Sequence, residues 1–479
     1  MIVPALSRRE LLAGGAAGAS AVAVHPRHHR RLTPRIFDVA VIGAGLAGLN
    51  AATAIQRAGR SVIVLEARTR VGGRNFDQPI GNGNVVELGG QWAGPGQNNV
   101  LGLARELGID TFPTYSTGSS VYYENGELKT YTSSIPPAPP RSLIELELLI
   151  LAMNHMASSV PAATPWEAPN AAVWDLQTVE TFFQSRLQTA EGRNLADLSI
   201  RAVYGEEPKQ ISLLDLLQAI TAVGGDFNTL IGSSQSIRFV GGPQQMSEKL
   251  AAALAPNVIL GVPVMGIDVT PGGVIVQTAT GGYQARCAIV TVAKTLFGRL
   301  QFSPPLPPEL DQQLQREPNG SVIKVNAIYS RPFWRDAGLN GAATSDLGPI
   351  RVTYDNSPPD GSPGVLVGFM EGDDSRQFDS QPPAARRQAA LACFARYFGQ
   401  QALSPIAYYD LAWATEPYTR GAYGSFNPPG VLTSLNDPLS ALGGPLFYAN
   451  ADASPTWTGN MDGAISEGRR AAAAALASL

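Results

Sequence analysis

An α/β fold of Rossmann type, doubly wound on a parallel sheet, is the class this sequence predicts, and three observations between residues 37 and 74 predict it. Residues 37–42 form a short apolar run of strand type. Gly43, Gly45 and Gly48 then fall in G-x-G-x-x-G spacing at the turn into an Ala-rich helical stretch. A second apolar run, 61–65, ends at Glu66, eighteen positions beyond Gly48. Each residue type has a physical reason. Gly43 permits the tight turn, Gly45 lets a pyrophosphate approach main-chain N–H groups at the positive helix N-terminus, and Gly48 lets the helix lie close to the sheet. Glu66 stands where an acid accepts hydrogen bonds from ribose hydroxyls. Glycines before a helix can be a packing device alone, but strand, turn, helix, strand and terminal acid occurring in order point to a dinucleotide. The fingerprint by itself does not separate NAD from FAD.

Composition bounds what such a chain can be. With 479 residues, 44% hydrophobic and 15% charged, it can bury a large core in two or three domain-equivalents. A formal charge of −4 with no strongly basic stretch argues against a nucleic-acid partner. Of four His, three lie in the N-terminal tail and only His155 in the body, so no metal site is expected. Two cysteines, Cys287 and Cys393, sit in apolar surroundings and make no disulfide framework.

At the N-terminus, Ser7-Arg8-Arg9-Glu10-Leu11-Leu12 precedes a weakly apolar Gly/Ala run to Val24, with Ala21-Val22-Ala23 as a cleavage site. This pattern predicts a twin-arginine export signal and a periplasmic or secreted protein. Its competitor is a disordered tail that happens to contain an Arg pair. Residues 25–35 are then a basic, Pro-containing linker, and residues 1–35 stand outside the fold.

Along the body, Asn82-Gly83 and Asn125-Gly126 are hairpin signals, and residues 85–88 read as a strand. A Gly-rich segment, Gly89-Gly90-Gln91-Trp92-Ala93-Gly94, ends at Gln97 before a helix over 98–107. Residues 143–156 are apolar but carry Glu145 and Glu147, and are too short to span a membrane. Residues 212–223 read as a buried helix ending at Gly224-Gly225, and 246–254 and 383–398 as further helices. Strands are expected around 262–264, 273–277 and 287–292, and another at 446–452 that ends in an acid.

Several of these segments carry a resemblance. After Glu66 come Ala67-Arg68 and then Arg70-Val71-Gly72-Gly73-Arg74, similar to the R-x-G-G-R continuation of flavin-containing monoamine oxidases. The Gly89–Gln97 segment, the Phe239-Val240-Gly241-Gly242 passage, the Gly320–Lys324 and Arg331–Trp334 runs, and the segments from Glu416 and Leu446 resemble that family in the same order. The resemblance covers nearly all of 37–479. It implies a doubly wound FAD-binding domain over 36–111, 240–313 and 416–479. Beside it would lie an α+β substrate domain with an antiparallel sheet, over 112–239 and 314–415.

The implied chemistry is FAD-dependent oxidation of an amine to an imine, which water hydrolyses to a carbonyl, with oxygen reduced to hydrogen peroxide. FAD contacts implied by resemblance are Gly43, Gly45, Leu46, Ala47, Gly48, Glu66, Ala67, Arg68, Gly73, Arg74, Gly89, Gly90, Gln91, Trp92, Val264, Trp413, Asp452, Asn460, Met461 and Ala464. Tyr423 matches one wall of an amine-guiding aromatic cage. Lys324 matches a lysine that holds water near the flavin, and Gln235 a substrate-lining amide. The competing reading for Lys324 is a surface lysine on a strand, and for Gln235 an ordinary loop amide.

This sequence also departs from the family. Asn460 replaces the second aromatic wall, Ala422 stands where covalent relatives carry the flavin-linking Cys, and Lys294, Asn450 and Asp452 replace Pro, Gly and Glu. A non-covalent FAD is therefore expected, with a small-molecule amine as substrate. The acceptor is either molecular oxygen or an electron-carrier protein. An L-amino-acid oxidase and a flavin-binding protein with little turnover also stay open, as does a homodimer.

Overall fold

A computed structural model describes residues 36–436, 439 and 442–479. The expected export signal and linker, residues 1–35, lie outside the described residues. Strand β1 (Ile36–Ile42) buries Val39 and Val41 completely and runs through the glycine turn into α1 (Leu46–Arg57). β2 (Val62–Leu65) returns parallel to β1, with Val39 opposite Val62 and Ile42 opposite Leu65. β3 (Asp77–Gly81) and β4 (Asn84–Glu87) form a hairpin. α2 (Asn98–Glu106) and β5 (Thr111–Pro113) follow, then the hairpin of β6 (Ser119–Glu124) and β7 (Glu127–Tyr131). Both Asn-Gly pairs take positive φ at both residues, at 53° and 75° for the first and 52° and 87° for the second. Asn and Gly occupy that region most cheaply, which is why the pair marks a tight hairpin.

A helical set comes next: α3 (Pro140–Ala157), α4 (Ala171–Asp175), α5 (Val179–Arg186), α6 (Ala190–Tyr204), α7 (Leu213–Ala222) and α8 (Phe227–Ile231). α7 is its centre, with Leu213, Leu214, Leu216, Leu217 and Ile220 all fully buried. Ser212 caps it, accepting the Leu214 N–H at 3.1 Å. Gly224 and Gly225, at φ 100° and 87°, end it. No described helix is long and apolar enough to cross a membrane.

The chain then alternates between two sheets. β8 (Ile237–Phe239) pairs with β5, and α9 (Gln244–Leu254) packs against α1. β9 (Val258–Ile259), β10 (Val264–Thr270), β11 (Gly273–Thr278) and β12 (Gly281–Val290) follow, then α10 (Lys294–Phe297), β13 (Gln301–Ser303) and α11 (Pro308–Arg316). β14 (Val322–Tyr329), α12 (Phe333–Asp336), β15 (Leu339–Ser345), β16 (Val352–Asp355), β17 (Gly364–Glu371), α13 (Asp373–Asp379), α14 (Pro383–Phe398) and β18 (Ala407–Ala412) form the next run. α15 (Leu432–Leu435), β19 (Leu446–Tyr448) and α16 (Met461–Ser478) close the chain.

The first sheet has the order β13-β10-β11-β12-β1-β2-β9, with β19 beside β12. Its central pairs are parallel, and β11 makes antiparallel pairs with β10 and β12. Apolar residues of α1, α2, α9 and α16 cover one face, and Phe297, Leu310 and Leu314 cover the other, so the sheet is doubly wound. The second sheet, β18-β14-β17-β16-β15-β6-β7, is antiparallel apart from the β15–β6 pair. Trp334 and Phe394 lie fully buried in the core cluster beside it.

Two expected elements differ in detail. The strand expected at 287–292 begins already at Gly281 and stops at Val290. The last strand ends at Tyr448 rather than at the acid, because the Asn450 side chain accepts the Asp452 N–H at 3.1 Å and turns the chain. Asp452 therefore sits in a 3₁₀ turn, Ala451–Ala453.

Candidate active site

One cavity of about 610 Å³ is lined by both sheets, the helical set and the final return of the chain. Its dinucleotide part is built at the β1–α1 turn. Gly43 has φ 106°, and a Cβ there would come 2.6 Å from the Thr291 hydroxyl oxygen. Gly45 passes against Gly72 and Gly73, leaving main chain open to the cavity. Gly48 does not line the cavity; a Cβ there would lie 2.0 Å from the Gly43 carbonyl oxygen, so this glycine sets helix against turn. Glu66 closes the turn from behind, its carboxylate accepting the Ala44 N–H at 2.7 Å and the Arg68 N–H at 2.9 Å.

Leu46, Ala47, Ala67, Gly73, Gly89, Gly90, Trp92, Val264, Trp413, Met461 and Ala464 all line the same space. The two arginines expected at the cofactor also line it, but their donors go to protein. Arg68 binds Glu416 at 3.0 Å and Thr419. Arg74 binds the Tyr423 carbonyl at 2.7 Å and Asp452 and Asn450 at 2.8 Å each. Asp452 is thus half used: among the described residues its other oxygen, Oδ2, is buried and has no partner, and neither does the Trp92 indole N–H.

These features fit FAD. The glycine turn leaves main chain open where a diphosphate would sit, Glu66 would be the acid toward a ribose, and Asp452 Oδ2 is an acceptor that a ribityl hydroxyl could use. Ala422, at the expected linking position, lines the cavity, whereas Cys287 and Cys393 are buried elsewhere and His155 is exposed on α3. No thiol reaches the site, so the flavin has no cysteine there to be linked to.

The reacting part lies against the second sheet. Lys324, on β14, is 3% exposed, which removes the surface-lysine reading. Its ammonium donates to the Gly89 carbonyl at 2.8 Å and to Gln91 Oε1, and lies over the Trp92 and Phe369 rings at 5.4 and 5.6 Å. Burial pushes its pKa down to about 7, against the pull of Glu87. Gln91 is fixed in turn by Asn356 at 2.8 Å, and Asn356 by Glu87 at 3.0 Å. Burial disfavours the Glu87 charge, but Arg238 and Lys324 outweigh it and hold this carboxyl below its ordinary value.

Tyr423 follows Ala422 through a cis peptide and donates its hydroxyl to Glu371 Oε1 at 2.8 Å. Burial and that carboxylate push the phenol far up, so it stays protonated. Asn460, the N-cap residue of α16, lines the cavity and spends its amide N–H on the Thr458 carbonyl at 3.0 Å. Gln235 also lines the cavity, from a 3₁₀ turn over Ser233–Gln235. Lys294, which replaces the family's Pro, lies in a buried ion pair with Glu317 at 2.7 Å.

Sequence reasoning missed Tyr354, Phe369 and Glu371, which the second sheet brings to the cavity. A signal existed for the last. β17 is an apolar run ending in an acid, the pattern that singled out Glu66 at the end of β2.

The model of the family described as flavin containing amine oxidoreductase matches residues 46–476. A Mycobacterium tuberculosis protein named as a flavin-containing monoamine oxidase, AofH, is 38% identical over 442 residues, covering 92% of this chain and 96% of its own. An L-amino acid dehydrogenase of a Synechocystis species is 35% identical over 449 residues, covering 91% and 94%. Among solved structures, wild-type putrescine oxidase bound to putrescine superposes with a TM-score of 0.86 at 33% identity, covering 92% of this chain and 99% of that one.

Proposed function

Because this chain belongs to the flavin-containing amine oxidoreductases, we propose that it is an oxidase, taking two electrons and two protons from an amine and passing them to molecular oxygen to give hydrogen peroxide. FAD supplies the hydride acceptor. The residues supply position and charge. Tyr423 offers one aromatic wall to the amine, and Asn460 leaves the opposite wall polar, so the site admits amines with more than a small unbranched chain. Gly89 to Trp92 and Trp413 line the cavity beside Lys324. The imine product is hydrolysed by water to a carbonyl compound.

The observation that supports oxygen as acceptor is Lys324, a buried ammonium held by Gly89 and Gln91 on the cavity wall, where it can stabilise negative charge developing on a small acceptor. A second reading, transfer to a carrier protein, is favoured by the likeness to a protein named as a dehydrogenase. One experiment separates them. The flavin of the holoenzyme is bleached anaerobically with a panel of primary, secondary and cyclic amines, and oxygen is then admitted. Return of the yellow colour within the turnover time supports the oxidase, whereas bleaching that oxygen does not reverse supports a carrier. No bleaching by any amine rejects amine oxidation.

We propose further that the protein is exported already folded, since a chain that takes up FAD inside the cell needs a route for folded cargo. Replacing Arg8→Lys together with Arg9→Lys is expected to retain the holoprotein in the cytoplasm on cell fractionation. Unchanged export would reject the twin-arginine route.

A further inference from the structure

Four carboxylates line the cavity among the described residues: Glu66, Asp215, Glu371 and Asp452. Three have either a cation or more than one donor from protein. Glu66 accepts two main-chain N–H groups, Asp452 pairs with Arg74, and Asp215 accepts the Asn427 N–H and amide at 3.1 and 2.7 Å. Glu371, at the end of β17 and 5% exposed, accepts only the Tyr423 hydroxyl and makes no ion pair among the described residues.

The cations around it are already committed. Arg201 of α6 pairs with Glu207 at 2.8 Å, Arg376 of α13 with Glu206 at 2.8 Å, and Arg351, just before β16, with Asp374 at 2.7 Å. Lys324, from the neighbouring β14, turns instead to Gly89 and Gln91. Tyr354 of β16 and Tyr423, the other titratable groups on this wall, are neutral phenols. A buried carboxylate in a ligand cavity, with one neutral donor and no cation, lacks the compensation that buried charges require.

Resting on the amine-oxidation reading above, we propose that Glu371 is the counter-ion for a cationic group of the substrate, so that this site selects positively charged amines and rejects amino acids, whose carboxylate it would repel. The Tyr423 hydroxyl ties this charge to the cage. A phenol that donates to a carboxylate has a more electron-rich ring, which strengthens the one aromatic wall the site retains.

Burial pushes the Glu371 carboxyl up to about 7, while the Tyr423 hydroxyl, Arg201 and Arg351 hold it from going higher. It is therefore ionised above about pH 7 and neutral below, and cation binding should tighten as pH rises through that region.

The test uses the FAD-loaded protein and a permanent cation, benzyltrimethylammonium, read by perturbation of the flavin spectrum. The wild type is expected to bind it with a dissociation constant that falls as pH rises through about 7, and to bind phenylacetate far more weakly. Glu371→Gln keeps an acceptor for the Tyr423 hydroxyl but not the charge. It should weaken cation binding about tenfold or more and flatten its pH dependence, while Glu371→Asp restores both in part. Equal affinity in the wild type and the Gln variant, at equal FAD content, overturns the proposal, as does a wild type that ignores the cation. The functional reading fails separately. If the cation binds through Glu371 but no amine bleaches the flavin, the counter-ion stands and amine oxidation does not; amines that bleach wild type and Gln variant alike, with equal cation affinity, leave the reverse.

Discussion

Lys324 keeps an ammonium in a place where burial opposes it, and that conflict defines its use. If its charge assists the acceptor, Lys324→Met should slow reoxidation by oxygen by at least about tenfold and leave anaerobic reduction by amine nearly unchanged, since only the first develops negative charge beside it. In the wild type, the oxygen step should slow as pH rises through about 7, where the ammonium loses its proton. Stopped-flow measurement of the two half-reactions decides this, and equal slowing of both would remove the role. Asn460 makes a second prediction at this scale. Asn460→Tyr should add the missing wall and shift preference toward small unbranched amines, and an unchanged ranking of amines in the bleaching assay would place this residue away from the reacting centre. Lys324 and Tyr423 were legible in the sequence because family motifs surround them. Glu371 carried a local signal, an apolar run ending in an acid, but its role was not legible, since that depends on which arginines are already paired, and Arg201, Arg351 and Arg376 are brought around it only by the fold.

At the scale of elements, the β1–α1 turn makes the sharpest prediction. Gly48→Ala would set a methyl group 2.0 Å from the Gly43 carbonyl oxygen, so helix and turn must separate, and FAD retention on gel filtration should fall together with the melting temperature. Glu66→Ala removes the acceptor of the Ala44 and Arg68 N–H groups and, with it, the expected ribose contact, so FAD affinity should fall by about 1.5–3 kcal/mol on the scale of hydrogen bonds to a charged group. Retention equal to wild type after dialysis would refute the assignment. Elements such as these were readable because their signals are local: an apolar run, an Asn-Gly pair, a glycine spacing. The turn at Asp452 was misread as a strand end because it is made by a side chain, Asn450, that folds back on the main chain two residues on.

Across the whole molecule, buried acids give stability a pH dependence. Burial, aided by Glu87, raises Asp77 to about 8. A carboxyl raised in the folded state binds more protons there than in the unfolded chain between about pH 4 and pH 8, so the stability it contributes is complete below that window and is lost as pH rises through it. Asp77→Asn should therefore flatten the fall in melting temperature between about pH 5 and pH 8, and an identical slope in the variant would exclude Asp77 as its source. At this scale the sequence said least. Pairing β15 with β6 joins strands more than two hundred residues apart, and no local pattern announces it.

Arg74 reaches forward 349 positions to the Tyr423 carbonyl, 376 to Asn450 and 378 to Asp452. On the ribosome, these partners emerge long after the glycine turn has been made, so a nascent chain carries that turn before the Arg74 contacts can form. Firm capture of the coenzyme should then wait for these residues, and the yellow colour of the protein would report that translation had passed residue 452. A chain stopped after residue 445 should accumulate colourless.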